Sequence, residues 1–406
     1  MVAPRARLRT LALRDFRNFM RLDVALPAEG LVLLGENGQG KTNFLEAIHY
    51  LELFRSERAA RDADLVRFGA PAFHVAAAVE TPRVHEVRVG FEKQGKRKRL
   101  TFDGAEPPRL SEALGALPSV LFSPGDVALV SGAPAVRRRY LDIVLALASR
   151  PYLAALQKYR GALVRRNAAL RDAIRGGGRG DQRVAVWEEP LAEHGAVLWG
   201  ERLAWVAQMA SRFAELCAAI GERAPVAMRY QSATAPERAG DSMNRESLAG
   251  ALAAALAEKR ALDVRRGVTH AGPHRDDLVL ELDGRELRAF GSAGQQRTAA
   301  IALRMLESAT LRDRRGTIPL LLLDDPFAEL DARRAARIVE LLADEGLGQA
   351  ILTVPRASDV PAGLPRLEQW RIAAGVISGA TTVPGVDAPA AVPSPAPAAA
   401  DAERAR

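Results

Sequence analysis

Apolar and polar positions change their period several times along the chain, and each change marks a different kind of element. Short β-like runs at Leu8 to Leu13, Leu22 to Leu26 and Leu31 to Leu34 come first, and further strand signals follow at His74 to Val79 and Val87 to Phe91. Between the two groups, Phe44, Leu45, Ile48 and Leu51 repeat at helical spacing, so the region reads as an α/β lobe. From Pro134 to Ile174 the pattern is helical, broken near Arg150 and Pro151. GGGRG at Gly176 to Gly180 then makes a loop before a second helical stretch from Gln182 to about Ile220. Strand signals return at Leu278 to Leu282, followed by a helix from Ser292 to about Ser308 and the very apolar Ile318 to Leu323. The expected organisation is an α/β lobe over 1–122, a mainly helical inserted lobe over 123–262, and the second part of the first lobe over 263–378. No aromatic follows Trp370, and Ala, Pro, Ser and Val dominate from about Gly379, so 379–406 is expected to be a disordered tail. No internal repeat or sustained heptad is present.

The most informative segment lies where the third strand turns into the first helix. Gly35, Glu36, Asn37, Gly38, Gln39, Gly40, Lys41 and Thr42 read GENGQGKT. The glycines let backbone N–H groups turn inward around phosphate oxygens, Lys41 adds a point charge, and Thr42 offers a hydroxyl to Mg²⁺. A nucleoside triphosphate, ATP with Mg²⁺, is the expected ligand; the alternative is an ordinary strand-to-helix glycine turn. Ile318 to Asp331 reads IPLLLLDDPFAELD, a buried strand ending in two acids. At the C-terminal edge of a parallel sheet such acids lie beside the phosphate loop. Asp324 is then expected to hold Mg²⁺, and Asp325 to orient or deprotonate the attacking water.

Phe290 to Arg297, FGSAGQQR, opens a helix whose first-turn N–H groups point at whatever anion precedes it, with a hydroxyl from Ser292 and close backbone approach at Gly294. Alone it is a glycine-rich helix start. Between a phosphate loop and LLLLDDP it has the order and composition of an ABC-type signature sequence.

Composition adds less. The chain has 406 residues, enough for two to three domains, and a formal net charge of +8 with pI near 10.0. Anionic partners such as nucleic acid fit that balance. Of 57 basic residues only six are lysine, leaving 51 arginines, a bias that GC-rich coding alone produces. Cys217 is the single cysteine, which excludes a disulfide within the chain and fits a reducing, cytoplasmic setting. No run is long and apolar enough for a signal peptide or a bilayer span, so no membrane partner is expected.

The motifs DFRNF at Asp15 to Phe19, GENGQGKTNFLEAI at Gly35 to Ile48, LFSPGDVALVSGAPAVRRRYLD at Leu121 to Asp142, GPHRDDL at Gly272 to Leu278, GSAGQQR at Gly291 to Arg297 and LLLDDPFAELD at Leu321 to Asp331 together closely resemble the RecF family of bacterial recombination mediators. The resemblance covers the chain to about residue 375. It implies an ABC-type ATPase head, related to SMC heads but without coiled-coil arms, with a helical second lobe. It also implies monomers that pair when ATP is sandwiched between the phosphate loop of one copy and the signature helix of the other. Lys41, Thr42, Asp324 and Asp325 would then act in cis, Ser292, Gly294 and the adjacent Gln295 in trans, and Asp331 would lie in the loop crossing the interface. Arg17 and Asn18 are candidate nucleotide contacts. DNA, RecR, RecO and RecA are the implied partners, in gap repair, replication restart and the SOS response. Relatives commonly read FSPED where this chain has FSPGD, so Gly125 offers no carboxylate and Asp126 remains. A switch histidine of transporter type is replaced by Thr353, and slow hydrolysis is expected. A transporter motor subunit is the alternative, opposed by the roughly 250 residues between phosphate loop and signature.

For DNA, Lys93, Lys96, Arg97, Lys98 and Arg99 surround Gly95 at a hairpin tip that holds three of the six lysines. Arg137, Arg138 and Arg139 at a helix start oppose the helix dipole and imply an anion, an acidic partner or internal salt bridges. Lys158, Arg160, Arg165 and Arg166 lie on a helix of the inserted lobe. His274, Arg275, Asp276 and Asp277 read as a turn network rather than a metal cluster.

Overall fold

The computed structural model describes residues 3–382 apart from 176–180, 236–243, 329, 345, 347, 362–363 and 365–366. The alternating and continuous apolar runs of the first third become β1 (Arg7–Phe16), β2 (Phe19–Ala25), β3 (Gly30–Leu34), α1 (Lys41–Leu53), β4 (Ala72–Glu80), β5 (Val84–Glu92), β6 (Arg97–Phe102) and β7 (Ser119–Phe122). The helical stretch becomes α2 (Pro134–Ala148), α3 (Arg150–Arg175), α4 (Glu188–Ile220) and α5 (Arg245–Arg266), with β8 (Val226–Gln231) between the last two. The remainder forms β9 (Asp277–Leu282), β10 (Arg285–Glu286), α6 (Ala293–Arg315), β11 (Leu320–Asp324), α7 (Ala332–Asp344), β12 (Ala350–Val354), β13 (Glu368–Ala373), β14 (Val376–Ser378) and β15 (Thr381–Thr382).

Three sheets result. The central one has the order β14-β13-β3-β12-β11-β7 and is parallel except for the β13–β14 hairpin. β3, β11 and β12 are buried at every position, as central parallel strands covered on both faces require. The second is antiparallel, ordered β15-β2-β1-β4-β5-β6, and the third is the short β10-β9-β8. Leu31 and Leu33 of β3 face a core shared with α1 and the antiparallel sheet, while Val32 and Leu34 face the core shared with α6 and the inserted helices. The phosphate-loop strand is thus clamped between both lobes. Gly30 has φ of 106°, and a Cβ there would lie 1.8 Å from the carbonyl oxygen of Ala350, so the β3–β12 register admits only glycine at that point.

Several boundaries differ from the sequence expectation. β8, inside the stretch read as helical, pairs along its whole length with β9, so a boundary near 262 cuts through a sheet. The signature helix runs to Arg315 rather than ending near Ser308, stopped by Gly316 in the left-handed region. Thr381 and Thr382, expected to begin the tail, instead pair with Ala25 and Val24 of β2; 383–406 and the loop expected at 176–180 lie outside the described residues. Among the described residues no helix is long and apolar enough to cross a membrane.

Candidate nucleotide site

The edge where β3, β11 and β12 end carries the loop, and each side chain there has an identifiable support. Gly40 precedes α1 at φ 116°, and a Cβ on it would meet the Asn18 amide nitrogen at 2.4 Å. Asn18 donates to the Gln39 carbonyl at 2.9 Å and accepts from Asn43 at 2.9 Å, so it shapes the loop. Gln39 is held further by N–H groups of Gly375 on its carbonyl and Ala374 on its side chain. Lys41 is buried, its Nζ donating to the carbonyls of Gly35 at 2.5 Å and Glu36 at 3.0 Å, which centres the ammonium under the loop. Burial lowers its pKa, and Asp324 and Asp325 act in the opposite direction.

Asp324 ends β11 and is buried. One of its oxygens accepts from Thr42 Oγ1 at 3.1 Å and from Thr353 Oγ1 at 2.8 Å. The phosphate-loop hydroxyl and the strand acid are therefore adjacent, a donor set of the hard oxygen type that suits Mg²⁺. Thr353 has the role that sequence reasoning missed: it fixes the carboxylate. Only the parallel pairing of β11 with β12, which sets Asp324 opposite Thr353, reveals it.

Asp325 sits at φ 46°, in the left-handed region, where its N–H donates to the Thr353 carbonyl at 3.0 Å. Arg297, on the signature helix, donates to the carbonyls of Asp325 at 3.3 Å and Pro326 at 3.1 Å. Burial and then the neighbouring Asp324 raise the Asp325 carboxyl above the ordinary range, against Lys41 and Arg297. A carboxylate so placed is a stronger base than a free one.

Ser292 and Gln295 form a reciprocal cap at the start of α6: Ser292 N–H donates to Gln295 Oε1 at 2.9 Å and Gln295 N–H to Ser292 Oγ at 3.3 Å. Ser292 is exposed, and Gly294 lies under the Arg334 guanidinium. Arg304, on the same helix, gathers Asp126 at 2.7 Å, Glu307 at 2.8 Å and Glu57 at 3.4 Å. Asp126 also accepts from Ser123 N–H at 2.7 Å, so the acid left in FSPGD is bound up inside the protein.

Arg17, a candidate nucleotide contact, is engaged within the chain. Its guanidinium forks onto Glu46 of α1 at 2.8 and 2.9 Å and reaches the Asp64 carbonyl at 3.0 Å. The basic hairpin is also divided: Lys98 turns inward to the Phe54 carbonyl and to Asp62 at 2.9 Å, and Arg99 pairs with Glu106, leaving Lys93, Lys96 and Arg97 exposed at the tip. Arg137 forks onto Asp277 at 2.8 and 2.7 Å and Arg138 caps the Asp276 carbonyl, so two of that arginine triplet serve internal pairing. Both ring nitrogens of His274 are engaged, by Tyr159 hydroxyl at 2.7 Å and the Thr269 carbonyl at 3.1 Å, as a structural rather than metal-binding histidine requires.

A parallel sheet, a phosphate loop with its strand acids and an exposed signature-helix start define a phosphate-loop ATPase head of the ABC and SMC type. Residues 7–360 match the RecF/RecN/SMC N-terminal domain. The chain belongs to the RecF family: it is 39% identical over 373 residues to the DNA replication and repair protein RecF of Chloroflexus aggregans, an alignment covering 87% of this chain and 94% of that one. It is 40% identical over 377 residues to RecF of Frankia alni, covering 90% and 98%. A solved structure of the recombination mediator protein RecF with ATP, from the RecFOR pathway, matches at TM-score 0.84 and 27% identity, over 93% of this chain and 98% of that one. An Smc head bound to the C-terminal winged-helix domain of ScpA shares the fold at TM-score 0.52 and 15% identity, over 91% and 95%. These matches favour the repair reading over a transporter motor subunit.

Proposed function

We propose that the chain is an ATP-gated DNA-binding protein of recombinational repair, in which two copies close on ATP and slow hydrolysis releases them. The observation that supports this best is the split character of the site. Lys41, Thr42, Asp324 and Asp325 converge on one edge, with Thr42 3.1 Å from Asp324, whereas Ser292 and Gln295 at the start of α6 line a cleft to which none of Gly35 to Thr42 contributes among the described residues.

In this reading the N–H groups of Gly35 to Gly40 and the Lys41 ammonium cradle the β- and γ-phosphates. Thr42 and Asp324 would hold Mg²⁺, which would supply positive charge against the triphosphate. Asp325 orients the attacking water and accepts its proton. Ser292, Gly294 and Gln295 of a second copy cover the γ-phosphate. Thr353 stands where transporter-type relatives of this ATPase class carry a histidine, so turnover is weak. Lys93, Lys96 and Arg97 contact phosphates of single-stranded and duplex DNA without reading bases. The named partners, RecO and RecR, come from the RecFOR pathway of the matched structure; with them the chain would direct RecA onto gaps.

The test measures self-association by sedimentation velocity, and binding to a gapped duplex, with and without ATP. Wild type and Asp325→Asn should dimerise and bind DNA on ATP, Lys41→Arg should do neither, and Ser292→Arg should bind ATP yet remain monomeric. Normal ATP-dependent dimerisation of Ser292→Arg would remove the trans site from the reading.

A further inference from the structure

A cavity of about 650 Å³ runs from the nucleotide edge into the seam between the first lobe and the inserted helices. Thr42 and Asp324 line it, and so do Arg55, which follows α1, and Arg139 on α2. The turn that carries Arg55 is fixed by its neighbours. Phe54 ends α1 in the left-handed region at φ 49°, and Ser56 Oγ donates to Glu46 at 2.5 Å while accepting from the N–H groups of Arg58 at 2.9 Å and Ala59 at 2.8 Å.

Every acid in the cavity wall has a partner, and two of its cations have none. Glu46 takes the Arg17 fork and stands 3.6 Å from Arg58, Glu57 and Asp126 meet Arg304, and Asp324 accepts from Thr42 and Thr353. Arg55 and Arg139 make no hydrogen bond or ion pair among the described residues, and Arg139 Nη2 is shut off from solvent without a partner. Burial and then the charge of Arg139 lower the Arg55 pKa, with Arg160 adding to them and Glu57 and Asp62 opposing less. The two guanidinium groups are thus near enough to repel. Arg160 is itself paired with Asp142 at 2.9 Å, and Asp62 with Lys98 at 2.9 Å. His49 in the same wall is buried, and its Nε2 has no hydrogen-bond partner. Like charges held together in a half-closed space favour an anion between them.

We propose that Arg55 and Arg139 form a site for inorganic phosphate, which holds the phosphate cut from ATP between the first lobe and the inserted lobe before it leaves. The inference rests on the reading above that the chain hydrolyses ATP at the Gly35 to Thr42 loop. Hydrolysis breaks the bond from the γ-phosphorus to its bridging oxygen, which stays with ADP. The oxygen of water leaves within HPO₄²⁻, and the proton in excess passes through Asp325 to solvent. A second copy covers the outer side of the γ-position in the paired assembly, so the cavity is the way out that this chain itself provides. One guanidinium belongs to each lobe, and a dianion between them makes charge-assisted hydrogen bonds to both. Captured phosphate therefore ties the lobes together.

The experiment measures binding of labelled inorganic phosphate by equilibrium dialysis to the full chain, saturated with ADP or with the β,γ-imido analogue of ATP. Wild type, Arg55→Gln/Arg139→Gln and Arg55→Lys/Arg139→Lys are compared. Wild type should bind phosphate with either nucleotide, because the imido analogue fills the γ-position and leaves the cavity free. The glutamine pair should weaken that binding by about tenfold or more, the lysine pair should recover most of it, and all three should bind ADP alike. Phosphate that binds with ADP but not with the imido analogue sits at the γ-position and overturns the inference, as does equal binding by the glutamine pair. Loss of ADP binding in both pairs also overturns it, since the arginines would then support the loop. The same charges suit a phosphate of a DNA strand, so a short single-stranded oligonucleotide is added to wild type. It should leave phosphate binding unchanged; competitive displacement assigns the arginines to DNA and overturns the product role. Failure of wild type to form ADP from ATP defeats the reading beneath, a result that the dialysis does not depend on.

Discussion

The nucleotide edge and the middle of the inserted lobe both hold buried charge, and they treat it in opposite ways. In the lobe each buried charge meets several partners. Arg166, fully buried, donates to Asp263 at 2.7 Å, Thr269 at 2.9 Å and Glu188 at 3.0 Å. Arg202 donates to Asp142 and the Pro273 carbonyl at 2.7 Å each and to the hydroxyls of Tyr152 and Tyr230. Asp276 accepts from Trp199 at 2.6 Å and Tyr230 at 2.7 Å. At the edge, by contrast, two acids sit side by side, Asp325 is held off its ordinary pKa, and Ser292 caps an exposed helix. Charge paired within the chain fixes where the lobe sits; charge left short of partners is available to a ligand.

The largest test of this contrast removes a partner from the closed network. Arg166→Met leaves the buried Asp263 to His270 and Glu188 to Arg260, and should cost about 3–5 kcal/mol in urea unfolding, with ATP affinity of the folded fraction unchanged. A loss under about 1 kcal/mol would mean that the network contributes little beyond packing. Asp325→Asn is the counterpart at the open edge. It should lower turnover by about 10²-fold or more while ATP binding persists. Because folding raises the pKa of Asp325, its ionised form is disfavoured in the native state. Any stability it contributes belongs to acid pH and is lost as pH rises through the raised value. The asparagine variant should therefore be at least as stable as wild type at neutral pH. Turnover in the wild type should fall as pH drops through that same raised pKa.

The two regions were also unequally legible in the sequence. The edge announces itself because its chemistry is contiguous: eight residues from Gly35 to Thr42, a run of leucines ending in Asp324 and Asp325, and a cap at Ser292 and Gln295. What stayed hidden there depends on pairing between distant strands, as with Thr353 and Asp324, or on geometry that no period encodes, as with Asn18 beneath Gln39. In the inserted lobe almost nothing local gives the network away. Arg166 sits in a basic helix that reads as a solvated face, and its acids lie at 188 and 263, brought to it by helix packing. β8 was lost for a related reason, since VAMRYQ alternates weakly and needs β9 to become a strand. The GPHRDD segment becomes intelligible only in three dimensions, as the loop through which β9 is tied to the inserted helices.

A milder perturbation probes that loop. His274 is neutral in the fold: burial is the main cause that brings its pKa down to about 4, with the charges of Arg275 and Arg138 adding to it. The unfolded chain, with a histidine pKa near 6.5, binds the proton more readily, so stability is full above about pH 6.5 and is lost as pH falls toward 4. Between pH 7 and pH 5 the loss attributable to this residue should be about 2 kcal/mol. His274→Gln should flatten the profile by that amount, whatever its own offset at pH 7. Equal slopes in both proteins would show that His274 protonates without opening the network.

The smallest effect tests the contrast within a single hairpin, where paired and unpaired cations stand a few residues apart. Lys98 has an acid, a carbonyl and the Tyr50 ring, 4.9 Å from its ammonium, whereas Lys93, Lys96 and Arg97 face solvent. If pairing assigns Lys98 to the fold, Lys98→Ala should lower stability by roughly 1–3 kcal/mol by leaving Asp62 without its cation, and leave the salt dependence of DNA binding unchanged. Lys96→Ala with Arg97→Ala should do the reverse. Unfolding should move by no more than about 0.5 kcal/mol, and the slope of log K against log salt on duplex DNA should become shallower by about 0.9 for each phosphate no longer neutralised. A shallower slope from Lys98→Ala, or an unchanged one from the tip pair, would place the DNA surface elsewhere on the molecule. The division of charge inside this hairpin would then reflect folding alone.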